Sequence, residues 1–252
     1  MRHTSPPDGY PVPDFDRAFR ACTEGVPLAG TYECSFQAVR ERNLYNNHSN
    51  LQAVLPEVRE KLAKEEAQSF HLALPRFLWR FIDGLHLSPI VWNIRKGKGC
   101  MCVDPSSHIS DHDDGAANDK IPSPGTEHRE DECPTIYYAS ALHRHLTQIW
   151  NLCITHPKDD LLQFVDDIQA AFHRLLYHPD AMSVFATVFM EFLIIPVGTI
   201  FGARNSPSFF CLLSEVRSHT ASVTTFRSND KDADLTGLAR HVRLVPPLTE
   251  PE

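Results

Sequence analysis

The residues with the clearest chemical potential in this chain are the adjacent carboxylates Asp166 and Asp167. A largely apolar segment precedes them and predicts a buried strand over 161–168, while the residues from Ala170 onward predict a helix. This order places Asp167 at the carboxyl end of a strand, where an active site is often built. Carboxylate oxygens are hard ligands that suit Mg²⁺. An Asp-Asp pair at such a junction also serves simply to end a strand and cap the next helix, so both interpretations stand at this point.

A second group with chemical potential contains thiols and imidazoles. Cys100 and Cys102, together with His108, His112 or Cys133, are residue types that bind zinc. Cys-x-Cys is not the usual spacing of a zinc knuckle. The two thiols would face the same side of one strand, because side chains alternate along it. The sequence therefore gives zinc only weak support.

The composition of the chain indicates which broad class of protein it belongs to. The chain has 252 residues, 42% of them hydrophobic and 22% charged, which is ordinary for a globular protein of one or two domains. Seven cysteines in scattered positions do not predict a disulfide framework, so we expect a reducing compartment, the cytoplasm or the nucleus. The N-terminal residues show no apolar signal core, and the longest apolar run, 192–201, is too short to span a membrane. We therefore expect a protein that is neither secreted nor membrane-embedded.

Charge is distributed unevenly along the chain. The formal net charge is −8, which argues against a protein whose whole surface binds nucleic acid. Residues 104–132 and 228–234 are acidic, whereas residues 76–98 are rich in arginine and lysine. A local basic surface is thus compatible with an acidic chain.

The elements that would position these groups follow from local patterns. Helices are predicted over 56–70, 137–152, 170–177 and 206–221. A hairpin with a basic tip is predicted over 87–104, and strands over 184–188 and 192–197 turn at Met190-Glu191. Residues 1–14, with four prolines, predict a mobile arm, and residues 104–134 predict a long polar loop.

Two segments together resemble the first two palm motifs of retroelement reverse transcriptases. The first is Asp166-Asp167-Ile168-Gln169-Ala170-Ala171-Phe172, in which a metal-binding aspartate stands five residues before a bulky residue that follows a small one. The second runs from Phe201-Gly202 to Ser206-Pro207 and is similar to the family's Phe-Gly-x-x-x-Ser-Pro motif. Between them, a His-Pro-Asp turn and a hairpin occupy the order expected of the family. Upstream, the hairpin that ends in Met101-Cys102-Val103-Asp104 resembles the family's fingers hairpin.

The resemblance implies roles for individual residues and an RNA or DNA primer–template with deoxynucleotides as partners. Asp167 would be the catalytic metal ligand, with the Ile168 carbonyl as a further ligand of Mg²⁺, and Phe172 would exclude the ribose 2′-hydroxyl. The hairpin tip would bind the nucleotide's phosphates through Arg95, Lys96 and Lys98. The template side would be formed by Phe201, Gly202, Ser206 and Pro207.

Two departures from the family's pattern predict that this chain alone does not polymerise. Cys100 stands where the family has a phosphate-binding arginine, and cysteine offers no planar fork of donors. No aromatic-x-Asp-Asp motif between apolar strands follows the second motif, since Asp230, Asp232 and Asp234 lie in a polar segment. A single aspartate does not form a two-metal clamp. A thumb domain is not recognisable either.

The expected fold class is α+β, a partial right-hand polymerase fold in which a fingers hairpin joins the first half of an antiparallel palm sheet with packed helices. The expected divisions are an N-terminal arm and helical region over 1–75, a fingers-like hairpin and polar loop over 76–134, and a partial palm over 135–252. A non-catalytic nucleic-acid-binding or protein-interaction remnant is the alternative function. An unrelated α/β protein, in which the aspartate pair only caps a helix, is a third possibility.

Overall fold

The structure, a computed structural model, describes residues 11–28, 34–44, 47–95, 97–108, 115–123, 133–136, 141–158 and 170–227, and all statements below refer to them. The chain is a mixed α+β protein with small antiparallel sheets. Its helices are α1 Val12–Thr23, α2 Phe36–Leu44, α3 Leu55–Ala67, α4 Ala117–Lys120, α5 Ala141–Thr155, α6 Pro179–Met182 and α7 Ser206–Arg227. Its strands are β1 His71–Pro75, β2 Ile90–Arg95, β3 Lys98–Val103, β4 Thr187–Phe189 and β5 Phe192–Pro196. Short 3₁₀ helices cover Ser49–Val54, Arg76–Phe81, Phe172–Arg174 and Ser183–Phe185.

The chain divides into two compact units. The larger unit comprises residues 13–136 and 169–213, and the smaller comprises residues 1–12, 137–168 and 214–252. The strands and the first turns of α7 belong to the larger unit. In the described part of the smaller unit, α5 forms the helix predicted over 137–152, with bounds shifted by a few residues.

The strand β5 organises the core of the larger unit. It lies between β1 and β4 in an antiparallel sheet, with Leu72 opposite Ile195 and Thr187 opposite Ile194. Leu193 and Ile195 pack into a cluster around Trp79, while Ile194 packs into a second cluster with Val58 of α3. Successive residues of a strand point to opposite faces, so β5 is covered on both faces. This explains why its sequence is an unbroken apolar run.

The helix α3 confirms its prediction from sequence. Pro56 stands in its first turn, where the missing N–H is harmless. Glu60 pairs with Lys64 at 2.6 Å on the exposed side, and Val58 and Leu62 bury the opposite side. The hairpin of β2 and β3 and the turn between β4 and β5 are also confirmed.

The helix predicted over 170–177 is wrong. Ala170 has a left-handed φ of +54°, and only the single 3₁₀ turn Phe172–Arg174 is helical. Leu176 then forms an antiparallel bridge with Gly198, and Tyr177 a parallel bridge with Val26. The segment is drawn into extended pairing because both of its edges find partners distant in sequence, and this pairing outweighs the helix preference of its alanines, leucines and arginine.

Three smaller expectations also need correction. The N-terminal segment becomes helical at Val12, so the predicted arm over 1–14 is too long. The helix α4 interrupts the predicted loop over 104–134. The strand predicted over 184–188 begins only at Thr187, because Ser183–Phe185 form a 3₁₀ turn.

Candidate functional site

The segment carrying Phe172 is hydrogen-bonded to the segment that leads into the second motif. The Thr199 amide donates to the Leu175 carbonyl at 2.6 Å, and the buried Thr199 hydroxyl donates to the Phe172 carbonyl at 2.6 Å. The Tyr177 amide donates to the Val197 carbonyl at 2.9 Å. These bonds hold residues 172–177 alongside residues 197–199, so Phe172, the last residue of the first motif, lies beside the segment that leads into the second.

Three phenylalanines mark this meeting point. The Phe172 ring contacts Phe201 and Phe210 edge-on, with ring centroids 5.5 Å apart in both pairs. Such edge-to-face pairs contribute about 0.5–1.5 kcal/mol beyond the buried area. Phe201 remains 48% exposed, so one aromatic face at this cluster is open to solvent.

Close backbone approach at Gly198 explains why this position has no side chain. A Cβ placed there would lie 2.1 Å from the His173 carbonyl oxygen. His173 itself stacks on Phe70, with centroids 5.2 Å apart. Burial lowers the pKa of His173 to about 4, and the nearby charge of Lys61 acts in the same direction.

A small cavity lies beside this cluster, with a volume of about 50 Å³. Its lining joins His173 and Phe201 to Cys102 of β3 and Thr187 of β4. The His173 Nδ1 atom and the Thr187 hydroxyl are buried and have no hydrogen-bond partner among the described residues. The cavity exceeds the space that one water needs, and a water requires polar partners such as these two, so the geometry suits one or a few bridging waters.

Gly202 connects the second motif to the end of the hairpin. Its φ is +121°, a conformation that favours glycine. A Cβ there would lie 2.7 Å from the Val103 carbonyl oxygen and 3.1 Å from Pro105. The glycine therefore permits the turn to rest against the residues that follow β3.

The buried side chain of Asn118 locks this contact. Its Nδ2 donates to the Gly202 carbonyl at 2.9 Å and to the Ser106 hydroxyl at 2.8 Å. Its Oδ1 accepts from the Arg204 amide at 2.9 Å. The Arg204 guanidinium in turn donates to the Ile121 carbonyl at 2.9 Å. One amide group thus satisfies backbone groups of the second motif and holds it to the segment after the hairpin.

Sequence reasoning missed Asn118, because it lies in the stretch predicted as a polar loop. Ala116, Ala117 and Ile121 are buried on either side of it. These apolar residues inside a polar run were the available signal that the segment packs. A buried asparagine beside them must find partners.

The hairpin that carries the predicted nucleotide-binding residues is well formed. Arg95 pairs with Lys98 in the register, and Lys98 is exposed. Lys96 lies outside the described residues, as does the side chain of Arg95. The Trp92 ring covers Gly99, where a Cβ would lie 2.0 Å from the indole.

Of the remaining predicted residues, two lie in a described helix and two lie outside the described residues. Ser206 and Pro207 begin α7 as predicted, with Ser206 fully buried. Asp167 and Ile168, the predicted metal ligands, lie outside the described residues together with Asp166. Among the residues that the structure describes, no three His, Cys, Asp or Glu side chains converge to hold a metal ion.

Of the residues considered for zinc, those that the structure describes (Cys100, Cys102, His108 and Cys133) form no group of three that could hold a metal ion. The Cys133 thiol contacts the Ser208 hydroxyl at 3.4 Å. His108 lies 3.2 Å from the Asp119 carboxylate, and His112 is outside the described residues.

Comparison of the chain with protein-family models, with curated proteins and with solved structures finds no match in any of the three. Among the described helices, none is both long and apolar enough to cross a membrane.

Proposed function

We propose that this protein derives from a retroelement reverse transcriptase and keeps the template-facing and nucleotide-facing surfaces of a partial right-hand polymerase fold. The observation that carries the proposal is the meeting of Phe172, Phe201 and Gly202 within one compact unit. Phe172 comes from the first motif of the resemblance, and the other two come from the second. In a polymerase of this family the two motifs surround the nascent base pair.

The contact between Gly202 and the end of β3 adds independent support. The resemblance assigns the hairpin to the nucleotide's phosphates and the second motif to the template, so a working site needs the two side by side. Val103, Pro105 and Asn118 provide that adjacency through a close backbone approach and a hydrogen bond from the buried Asn118 side chain. A loop-to-helix junction with no further role would not require it.

The chemistry of the surface suits a nucleic acid. Exposed Lys98 at the hairpin can pair with a phosphate, and phosphate contacts dominate affinity for nucleic acids. Half-exposed Phe201 offers a ring face for a base, a contact of about 1–3 kcal/mol that tolerates any sequence.

Magnesium is the cofactor that the resemblance implies. Asp167 with the Ile168 carbonyl would hold one ion, which would supply charge neutralisation at phosphate oxygens. The two-ion arrangement of phosphoryl transfer needs further carboxylates, and the residues after the second motif contain no aromatic-x-Asp-Asp motif between apolar strands that would supply them. The donor set therefore does not fit the full site, and we derive no catalytic step through magnesium.

The decisive experiment measures binding of a fluorescently labelled primer–template by anisotropy over a range of salt concentrations. We expect binding at low salt that weakens steeply as salt rises, because phosphate contacts release counterions. Lys98→Glu should weaken binding about tenfold and reduce the slope of log affinity against log salt by about 1. Lys64→Glu in α3 makes the same charge change at another exposed site and should leave the slope nearly unaltered.

Cross-linking locates the contact. A template strand with 5-iodouracil at its first unpaired position should cross-link on irradiation to the peptide that contains Phe201. Absence of binding at low salt, or a cross-link that maps elsewhere, would contradict the proposal.

Catalysis is tested separately. With a primed template, deoxynucleotides and Mg²⁺, we expect the chain alone to add no nucleotide. Incorporation that disappears in Asp167→Ala would show that the chain is active, and would overturn the inactivity while strengthening the family assignment.

A further inference from the structure

The neighbouring thiols of β3 form a feature that the proposed function does not use. The Sγ atoms of Cys100 and Cys102 lie 3.9 Å apart. Both side chains are partly buried, and both sulfurs are free thiols. The strand is held extended by its ladder to β2, in which Cys100 stands opposite Asn93 and Cys102 opposite Val91.

This geometry disfavours a direct disulfide. Alternate Cα atoms of an extended strand are about 6.6 Å apart, which is near the upper end of the range of about 4.4–6.8 Å in disulfides and beyond their commonest separation of about 5.5–6 Å. Closing the bond would require β3 to buckle against the six register pairs that tie it to β2. A bridge longer than a sulfur–sulfur bond fits the strand without that change.

A soft metal ion is such a bridge. Consider an ion at the usual zinc–sulfur distance of about 2.3 Å from each thiolate. With the two sulfurs 3.9 Å apart, the sulfur–ion–sulfur angle would be about 116°. That angle is close to the tetrahedral value that Zn²⁺ adopts. The strand therefore already holds two donors at the edge length of a tetrahedral thiolate site.

We propose that Cys100 and Cys102 bind a thiophilic divalent cation of the Zn²⁺ class through two thiolates, with the remaining coordination positions open to solvent or to an outside ligand. The site goes beyond the proposed function and does not depend on it. It differs from a structural zinc site, which has four protein ligands, because no third donor joins the two thiols among the described residues.

A charged side chain near the thiols is Lys61, which acts on Cys102 and whose ammonium lies 3.8 Å from the Glu65 carboxylate. Burial raises the pKa of the Cys102 thiol, and the neighbouring Cys100 raises it further. Because the ion binds thiolates, it displaces the thiol protons, and each bound ion releases up to two protons.

Cadmium is the probe that tests the site, because its bonds to thiolates give an ultraviolet charge-transfer absorption. The reduced full-length chain is titrated with Cd²⁺ while absorbance and proton release are recorded. We expect Cys100→Ser and Cys102→Ser each to lower the saturating absorbance by the amount that one bound Cd²⁺ contributes. Each variant should also release about two fewer protons per chain. The control is the Cys22→Ser/Cys153→Ser variant, which removes two exposed thiols and should retain this site.

Circular dichroism of each variant excludes loss of folding as the cause. Equal cadmium absorbance in the native chain and in the Cys100→Ser/Cys102→Ser variant would overturn the proposal. So would retention of the site in either single variant, since one thiol would then suffice. Competition by Zn²⁺ but not by Mg²⁺ is the expected selectivity, and displacement by Mg²⁺ would equally contradict a thiolate site.

Discussion

The hairpin of β2 and β3 and the turn over residues 198–206 lie side by side in the larger unit but are built on different principles. The hairpin is held by its own ladder, and its tip carries an exposed charge at Lys98. The turn is held by partners distant in sequence, through close backbone approach at Gly198 and Gly202 and through buried Asn118. Substitutions in the turn should therefore change stability first, whereas substitutions at the hairpin tip should change binding and leave the fold intact.

The largest difference in stability between the two regions is expected from alanine substitutions at two glycines. Gly198→Ala places a methyl group 2.1 Å from the His173 carbonyl oxygen, so the backbone must shift. We expect a loss of about 3 kcal/mol in the free energy of unfolding, measured by urea denaturation. Gly97→Ala at the hairpin meets no atom within 4 Å and bears only the strain of a φ of +74°, which costs about 1 kcal/mol. Equal losses at the two positions would remove the distinction.

Two asparagines provide a matched pair of intermediate size. Asn118→Ala removes a buried amide and leaves the Gly202 carbonyl and the Arg204 amide without that partner, and we expect a loss of about 2 kcal/mol. Asn50 makes similar bonds to Trp92 of the hairpin, but from an exposed position. Because water replaces lost bonds at the surface, Asn50→Ala should cost about 0.5 kcal/mol. Thermal and urea unfolding of both variants test the ranking, and a larger effect at Asn50 would reverse it.

A pH titration of stability gives the smallest expected effect in the turn region. The folded-state pKa of His173 is about 4, below its unfolded-state value of about 6.5. Between these values the unfolded chain binds a proton that the folded chain does not, so stability is full above about pH 6.5 and falls as the pH drops toward 4. We expect His173 to account for about 1 kcal/mol of loss between pH 6.5 and 5, after allowance for partial solvent screening.

The control for this titration is His173→Gln, which removes the titrating ring. Buried His86, whose pKa burial lowers to about 3, will leave a residual dependence of the same sign. An unchanged pH profile in His173→Gln would show that the ring is already protonated in the folded chain, or not buried.

The predictability of the site follows the same division. Residues Ser206 and Pro207 begin a helix as predicted, and the hairpin tip falls where the two glycines predict it. The path of residues 170–177 and the role of Asn118 were not predicted. Both depend on partners from 22 to 151 residues away, such as Gly198, Gly202 and Val26, which no local window contains. The aspartate pair stays a prediction, since it lies outside the described residues.

By itself, the sequence determined the elements whose stabilisation is local. The helix α3 follows from its proline start and its ion pairs four residues apart, and the β4–β5 turn follows from the break in two apolar runs. Only the tertiary structure decided that Phe172 lies in a single 3₁₀ turn against the second motif, and that Asn118 is buried. The physical reason is that a buried polar group or a short ambiguous segment is stabilised by whatever surrounds it in space, and that environment is assembled from the whole larger unit.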